Sequence, residues 1–219
     1  MKTNLLHSVI RECTQSKCKF RLPDTNYLQL NVQCPICQSK TEIEKLLDLS
    51  LDYRNNNNYW EDSSDFIAIL DNIRSVYNVG ALFRTSVGLG LKRIFLCGIT
   101  PTPDHKNFTK SSLGSENEVV WGKSLNCVDQ ITTIKESGYK IISIENSDKA
   151  IPIQKLTKNN FSQKKVALVV GNEISGVDPD VLSISDSIIS IPINGKNKSF
   201  NVTTAFGIAL YHLSIIVTT

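Results

Sequence analysis

FIAILDNIRSVYNVGALFRT, residues 66–85, changes its periodicity halfway along. Phe66 to Leu70 is an unbroken apolar run closed by Asp71 and Asn72, as expected of a buried strand, whereas Val79, Leu82, Phe83 and Val87 recur at helical spacing. Strand, polar turn, helix is the outline. It places Arg84 on the helix that follows a strand, near the sheet edge where open α/β folds seat their ligands. Asn78 and Arg84, six residues apart, are expected towards one side of that helix.

The same alternation continues outward to the end of the chain. RIFLCGI (93–99), EVVW (118–121), KIISIE (140–145), VALVVGN (166–172) and SIISIPI (187–193) read as strands, with helical patterns around 78–88, 125–137, 178–185 and 200–216. This is an α/β domain with a mainly parallel sheet. GLGLKRIF (88–95) follows a helix and precedes a strand, the reverse of what a phosphate-cradling glycine turn needs, so a nicotinamide-type Rossmann enzyme is a weak reading.

With 219 residues and 41% hydrophobic content, the chain is long enough for one main domain and a small extra module. MKTNLLHSVIRECTQ lacks the long apolar region of a secretory signal, and TTAFGIALYHLSIIVTT (203–219) is short for a membrane span and carries His212. A cytoplasmic protein without membrane partners is the expectation.

The net charge of +3 does not announce a nucleic-acid binder, but its distribution is uneven. Residues 1–40 carry six Lys or Arg against two acids, so the basic excess lies there, as suits a small module that holds a polyanion. The same residues hold four of the six cysteines, as Cys13-x4-Cys18 and Cys34-Pro-Ile-Cys37. Two pairs on short turns with such a spacer can close a tetrahedral thiolate site, as in zinc ribbons. Disulfides are the alternative, disfavoured where no export signal is read. FRLPDTNYLQLNVQ (20–33) is expected as a hairpin stapled by the metal, TEIEKLLDL (41–49) as a short helix, and Cys97 and Cys127 as packing residues. The asparagine-rich DYRNNNNYWEDSS marks a linker, which divides the chain into 1–47, 48–64 and 65–219.

Three segments of the larger domain carry chemistry-bearing residues. The first holds Asn78 and Arg84. In the second, a buried strand ends in Gly171, Asn172, Glu173 and Gly176, where glycines admit a ligand to the backbone and Glu173 adds a carboxylate. The third runs from a strand through a Gly/Lys/Asn loop to a helix with a polar start, including Ser199 and Asn201. Each has an ordinary counterpart: Asn78 or Ser199 capping a helix, Glu173 in a solvated turn, Arg84 pairing with Glu173.

Together, in this order, the segments resemble the SpoU-type (TrmH-like) branch of the SPOUT methyltransferases. The matching residues are Asn78, Gly80, Arg84 and Thr85 in NxGxxxRT, and Gly171, Asn172, Glu173 and Gly176 in GNExxG. The third set is Ile191, Pro192, Gly195, Ser199, Asn201, Val202 and Ala205 in IPxxGxxxSxNVxxA. The resemblance covers about residues 66–216. It implies an α/β SPOUT-type parallel-sheet domain with a C-terminal trefoil knot, here preceded by a small zinc-ribbon-like module. It also implies a homodimer that moves a methyl group from S-adenosylmethionine to a ribose 2′-oxygen of tRNA or rRNA, leaving S-adenosylhomocysteine.

By the same resemblance the catalytic set is Asn78, Arg84, Glu173, Ser199 and Asn201. Arg84 serves the target hydroxyl, Asn78 and Asn201 position ribose and backbone, and Glu173 orients Arg84 or the partner subunit's loop. The cofactor is expected against the loops at Ile144 and Glu145, at Gly171 and Asn172, and at Ile191 and Ile193, closed by Ser199, Phe200 and Asn201. Cys13, Cys18, Cys34 and Cys37 are the expected structural zinc ligands, ordering an RNA-docking surface. Lys106 and Lys110, in a longer polar loop, are placed to meet phosphates. A non-catalytic RNA-binding or assembly protein on the same scaffold is the alternative.

Overall fold

A computed structural model describes residues 8–25, 28–47, 65–160, 165–196 and 199–218, and the chain divides into two units, Met1–Asn58 and Tyr59–Thr219. The first unit is a three-stranded antiparallel sheet of β1 (Ser8–Cys13), β2 (Arg21–Asp24) and β3 (Thr41–Leu47), in the order β2-β1-β3. So short a chain has little apolar surface to bury. Among its described residues only Val9, Cys13 and Cys34 are buried apolar side chains. Arg11 is buried beside them, its Nε donating to Asp24 at 2.7 Å and its Nη2 to the Gln29 carbonyl at 2.8 Å. A buried cation without such partners would be strongly destabilising.

Two expectations for this unit are corrected. The segment expected as a helix over 41–49 is strand β3 over its described part, pairing Thr41 with Cys13 and Leu46 with Val9. A helix of that length is marginal by itself, and the free edge of β1 offers its backbone a full set of partners. Among its described residues, the spacer 20–33 forms no hairpin of its own. Instead β2 folds back on β1 across the first cysteine turn, with Cys13 N donating to Phe20 O at 2.8 Å. Gln33 and Lys40 bridge across the second turn. The expected linker, 48–64, lies outside the described residues.

The second unit contains β4 (Asp65–Asp71), α1 (Val76–Gly88), β5 (Arg93–Cys97), α2 (Thr109–Ser112), β6 (Val120–Ser124), α3 (Cys127–Glu136) and β7 (Lys140–Ile144). These are followed by β8 (Ile151–Pro152), β9 (Lys165–Val170), α4 (Pro179–Ile184), β10 (Ser187–Ser190) and α5 (Val202–Thr218). Among the described residues its seven strands are all parallel, in the order β6-β5-β4-β9-β7-β10-β8. The short β8 has no counterpart in the sequence reading.

Both sheet faces are covered, which is why the strands read as continuous apolar runs. Along β4, Phe66, Ala68 and Leu70 join Leu82 and Phe83 of α1 and Phe206 and Leu210 of α5, while Ile67 and Ile69 join Ile131 of α3 and Val181 of α4. Phe83 is fully buried and meets Phe108 edge to face at 5.1 Å between ring centres. Burial of such a ring contributes roughly 1.5–3 kcal/mol. β10 stops at Ser190, so Ile191–Ile193, expected within the strand, leave the sheet with their backbone unpaired to neighbouring strands. Among the described residues no helix is long and apolar enough to cross a membrane.

Candidate active site

The loops leaving the carboxyl ends of β7, β9 and β10 converge with the start of α5 around a cavity of about 430 Å³. That is where a parallel sheet exposes unpaired backbone, and the volume suits a small organic ligand. All nine residues expected to hold a cofactor line it: Ile144 and Glu145 after β7, Gly171 and Asn172 after β9, Ile191 and Ile193 after β10, then Ser199, Phe200 and Asn201. Ile174, Ser175, Ser190 and Ala205 also line it without having been expected.

The loop after β9 is built by its own polar groups. Asn172 and Gly176 exchange two backbone hydrogen bonds at 2.9 Å, and Asn172 Oδ1 accepts from Ile174 N at 2.9 Å and Ser175 N at 3.2 Å. Asn172 Nδ2 donates to Asn72 O at 2.7 Å, which ties the loop to the end of β4. Glu145 braces it from the other side, accepting from Val177 N and Asn146 N at 2.9 Å each. At Gly171 a Cβ would stand 2.2 Å from Val177 N, so no other residue fits there without displacing the loop. Asp71, buried at the end of β4, accepts from Asp178 N at 2.9 Å and secures the loop's exit. The only sequence signal for that role was an acid ending an apolar run.

Glu173 points across to α1. Its carboxylate accepts from Arg74 N at 2.9 Å, Ser75 N at 3.0 Å and Asn78 Nδ2 at 2.8 Å. Asn78 Oδ1 in turn accepts from Asn201 Nδ2 at 3.4 Å, so three of the expected catalytic residues form one network. Burial pushes the Glu173 carboxyl up, but the bonds donated by Arg74 N, Asn78 and Ser75 N outweigh it and hold it below its ordinary value. A carboxyl held low lends its bracing above the ordinary carboxylate range and loses it as pH falls through the depressed value. Glu173 is therefore an anion at neutral pH. In Glu173→Gln an amide NH2 faces one of the donors, so the Arg74 and Ser75 amides should exchange hydrogen faster than in wild type at pH 7. The difference should close once pH falls below the carboxylate range, and equal exchange at pH 7 would refute the bracing.

The ordinary capping roles fall elsewhere. Ser75, not Asn78, caps α1, accepting from Asn78 N at 3.3 Å, and Asn201 heads α5, its Oδ1 accepting from Thr203 N at 2.8 Å. Ser199 lines the cavity without capping a helix.

Arg84 stands apart. Its side chain is exposed, does not line the cavity and makes no ion pair or hydrogen bond among the described residues. Six residues turn a helix through 600°, which leaves Asn78 and Arg84 about 120° apart rather than on one side. Within one chain Glu173 is committed to the start of α1 and does not orient Arg84.

In the first unit, the Sγ atoms of Cys13, Cys18, Cys34 and Cys37 lie within 4.8 Å of one another. Cys13 and Cys37 approach to 3.4 Å, Cys18 and Cys34 to 3.7 Å. Four sulfurs about 2.3 Å from a tetrahedral zinc would be separated by about 3.8 Å, so the donor set fits the metal. The residue after each pair, Lys19 with φ 52° and Gln38 with φ 61°, takes the left-handed conformation that closes each turn. Hydrogen bonds from Ser39 hold the Cys37 thiol down to about 6, while burial pushes Cys13 up to about 12.

Comparison with known proteins agrees with this geometry. Residues 65–211 match the model of the SpoU rRNA Methylase family. The chain is 29% identical over 176 residues to a tRNA (guanosine(18)-2′-O)-methyltransferase of Borreliella burgdorferi, covering 80% of this chain and 72% of that protein. It is 31% identical over 148 residues to the 23S rRNA (guanosine-2′-O-)-methyltransferase RlmB of Acinetobacter baylyi, covering 65% and 56%. Among solved structures, the TrmH/SpoU tRNA modifying enzyme of A. aeolicus superposes with a TM-score of 0.60 at 28% identity, covering 71% of this chain and 77% of that one. The AdoMet-bound rRNA methyltransferase of Sinorhizobium meliloti shares the fold, with a TM-score of 0.63 at 23% identity, 68% of this chain and 56% of that one. With the family model matched across the whole parallel sheet, and two of the three motifs lining one cavity whose rim hydrogen-bonds to the third, the chain belongs to the SpoU rRNA methylase family.

Proposed function

We propose that this protein transfers a methyl group from S-adenosylmethionine to a ribose 2′-hydroxyl of tRNA or rRNA. The observation that carries the reading is the cavity at the strand ends with the Glu173–Asn78–Asn201 network on its rim. When bound there, the cofactor supplies an electrophilic methyl on a sulfonium whose positive charge vanishes on transfer, and S-adenosylhomocysteine remains.

The chain's own groups do the rest. Backbone around Ile144, Gly171, Ile191 and Ile193 presents donors and acceptors to an adenine edge without a side-chain signature, and Glu145 and Asn172 hold that backbone in place. Ser199, Phe200 and Asn201 close the cavity. Asn78 and Asn201 orient the ribose, and Arg84 stabilises the developing alkoxide. Since Arg84 does not line the cavity of its own chain, the site is completed where two subunits meet. Gly171→Ala should weaken S-adenosylmethionine binding by about tenfold or more, because its methyl displaces the loop. Calorimetric titration reads this, and unchanged affinity would place the cofactor elsewhere.

The proposal includes a homodimer built on α5. Ile208, Tyr211 and Ile215, at helical spacing, are 40%, 54% and 40% exposed on it, an apolar stripe that a second copy would cover. Ile208→Glu with Tyr211→Glu should halve the mass seen by light scattering. A variant that keeps the wild-type mass would remove α5 from the interface.

A trefoil knot belongs to the same proposal, supported by β10 lying between β7 and β8 while the chain beyond it returns to pack α5 on α1. So do a zinc ion on the four cysteines, action in the cytoplasm, and a division into a ribbon (1–47), a connection (48–64) and a methyltransferase domain (65–219).

The test is transfer of labelled methyl from S-adenosylmethionine to tRNA and rRNA lacking the modification. Label in an alkali-resistant dinucleotide is expected, because a 2′-O-methyl group shields the adjoining phosphodiester. Label in alkali-sensitive nucleotides would mean base methylation. No label and no cofactor binding would leave an RNA-binding or assembly protein on the scaffold.

A further inference from the structure

Among the described residues of the first unit, four of the six cations pair with its own acids. Arg11 pairs with Asp24, Lys19 and Arg21 with Glu12, and Lys40 with Glu42. In the second unit Arg84, Lys106 and Lys110 are exposed and make no ion pair among the described residues. The acids of the same segment form no ion pair with them among the described residues: Asp104 accepts from the Thr102 hydroxyl at 3.1 Å, and Glu116 Oε2 is buried.

Arg84 and Lys110 flank one helix junction with an aromatic ring, and Lys106 lies three residues before α2. The backbone of α2 rides on α1 at Gly80, where a Cβ would stand 2.1 Å from Ser111 Oγ and 2.8 Å from Ser112 N. At 100° per residue, Tyr77 and Arg84 lie about 60° and about 40° round from Gly80 in the same sense, and about 10 Å apart along the axis. Tyr77 is 51% exposed. Lys110 on α2, Tyr77 and Arg84 therefore face solvent around one helix junction.

The loop carrying Lys106 is held at both ends. Thr100 Oγ1 accepts from Ile73 N at 3.0 Å and donates to Leu70 O at 3.1 Å, and Lys123 Nζ donates to Thr100 O at 2.8 Å. At the far end Phe108 is buried against Phe83. The lysines thus need little ordering when they bind.

We infer that Lys106 and Lys110 hold the phosphate backbone of the substrate RNA while Tyr77 stacks on one of its bases, so that the RNA-gripping surface lies on the second unit beside Arg84. This rests on the ribose-methylation reading. Cations interleaved with an exposed aromatic ring fit single-stranded RNA, whose phosphates and unstacked bases are both accessible.

The test uses the full-length protein, a labelled single-stranded oligoribonucleotide followed by anisotropy, and steady-state methylation of unmodified tRNA and rRNA transcripts. Lys106→Ala with Lys110→Ala should weaken oligonucleotide binding about tenfold and flatten its log–log salt slope by about 1.4 for two phosphates lost. The same pair should raise the KM for RNA while kcat and S-adenosylmethionine affinity stay unchanged. Tyr77→Ala should also lose about tenfold, with Tyr77→Phe near wild type because the ring face is kept. Lys17→Ala with Lys45→Ala, in the first unit, should leave binding as it was. Unchanged affinity and KM in the Lys106/Lys110 pair would overturn the inference. So would equal losses from the first-unit pair, or a Tyr77→Ala that dissociates the dimer and spares RNA binding. Oligonucleotide binding with these dependencies but no methylation by wild type would instead overturn the ribose-methylation reading and leave the surface standing.

Discussion

Arg84→Ala is expected to lower kcat for methyl transfer by about 10²–10⁴ while leaving S-adenosylmethionine affinity and thermal stability as in wild type. The stability half follows from the structure: the side chain is exposed and has no partner among the described residues, so nothing folded depends on it. The catalytic half follows from the chemistry of the acceptor. A ribose hydroxyl attacks only as its proton leaves, and a guanidinium beside it stabilises the negative charge that develops. With a pKa above about 12, arginine is a poor base at neutral pH, so its contribution is charge stabilisation and alignment. Arg84→Lys keeps the charge and loses the planar fork of donors, and should recover only part of the rate. Because Arg84 does not line its own cavity, mixing Arg84→Ala subunits with Gly171→Ala subunits should restore activity in hybrid dimers. Near-wild-type turnover in Arg84→Ala would sink the assignment, and hybrids without activity would confine each site to one subunit.

Removing the zinc proposed for the four cysteines, or replacing Cys34 by serine, is expected to unfold the first unit and leave the second intact. With Val9, Cys13 and Cys34 as the buried apolar side chains among its described residues, that unit has too little hydrophobic burial to offset its chain entropy. Zinc on four thiolates supplies about 10–16 kcal/mol in small domains that fold only with metal, an amount no other contact here approaches. Without the cation, four sulfurs packed within 4.8 Å cannot all be anionic. The measurements are zinc content by elemental analysis and the amide NMR spectrum before and after chelation. Collapse of the resonances of 8–47, with the rest unmoved, is the expected result. A metal-free protein whose first unit keeps its spectrum, with its cysteines oxidised in pairs, would replace zinc by disulfides. Activity of the chelated protein then tells whether this unit contributes to choosing the RNA.

The sequence by itself determined the features that depend on local periodicity and residue chemistry. Strand and helix alternation from residue 66 onward could be read because each strand of a doubly covered parallel sheet is apolar on both faces, and each helix shows a repeating apolar stripe. The cysteine spacing announced a four-sulfur cluster, and two of the three motifs announced loops that meet at the cavity, because ligand-shaped backbone needs particular residues at particular steps.

Only the tertiary structure decided what depends on where distant segments lie. Residues 41–47 have helix-forming composition but pair as a strand, because β1 was there to receive them. Glu173 reads as a free carboxylate at a strand end, yet it accepts from the backbone amides of Arg74 and Ser75, just before α1, 99 and 98 residues earlier in the chain. Asn201 reads as a ribose contact, and the fold also makes it the cap of α5 and a donor to Asn78. Arg84 was placed with Asn78 by counting residues, and helix geometry separates them. Periodicity records which side of an element is buried. It carries no record of which element will bury it, since strand order and long-range hydrogen bonds are settled by the competition of whole segments for the same partners.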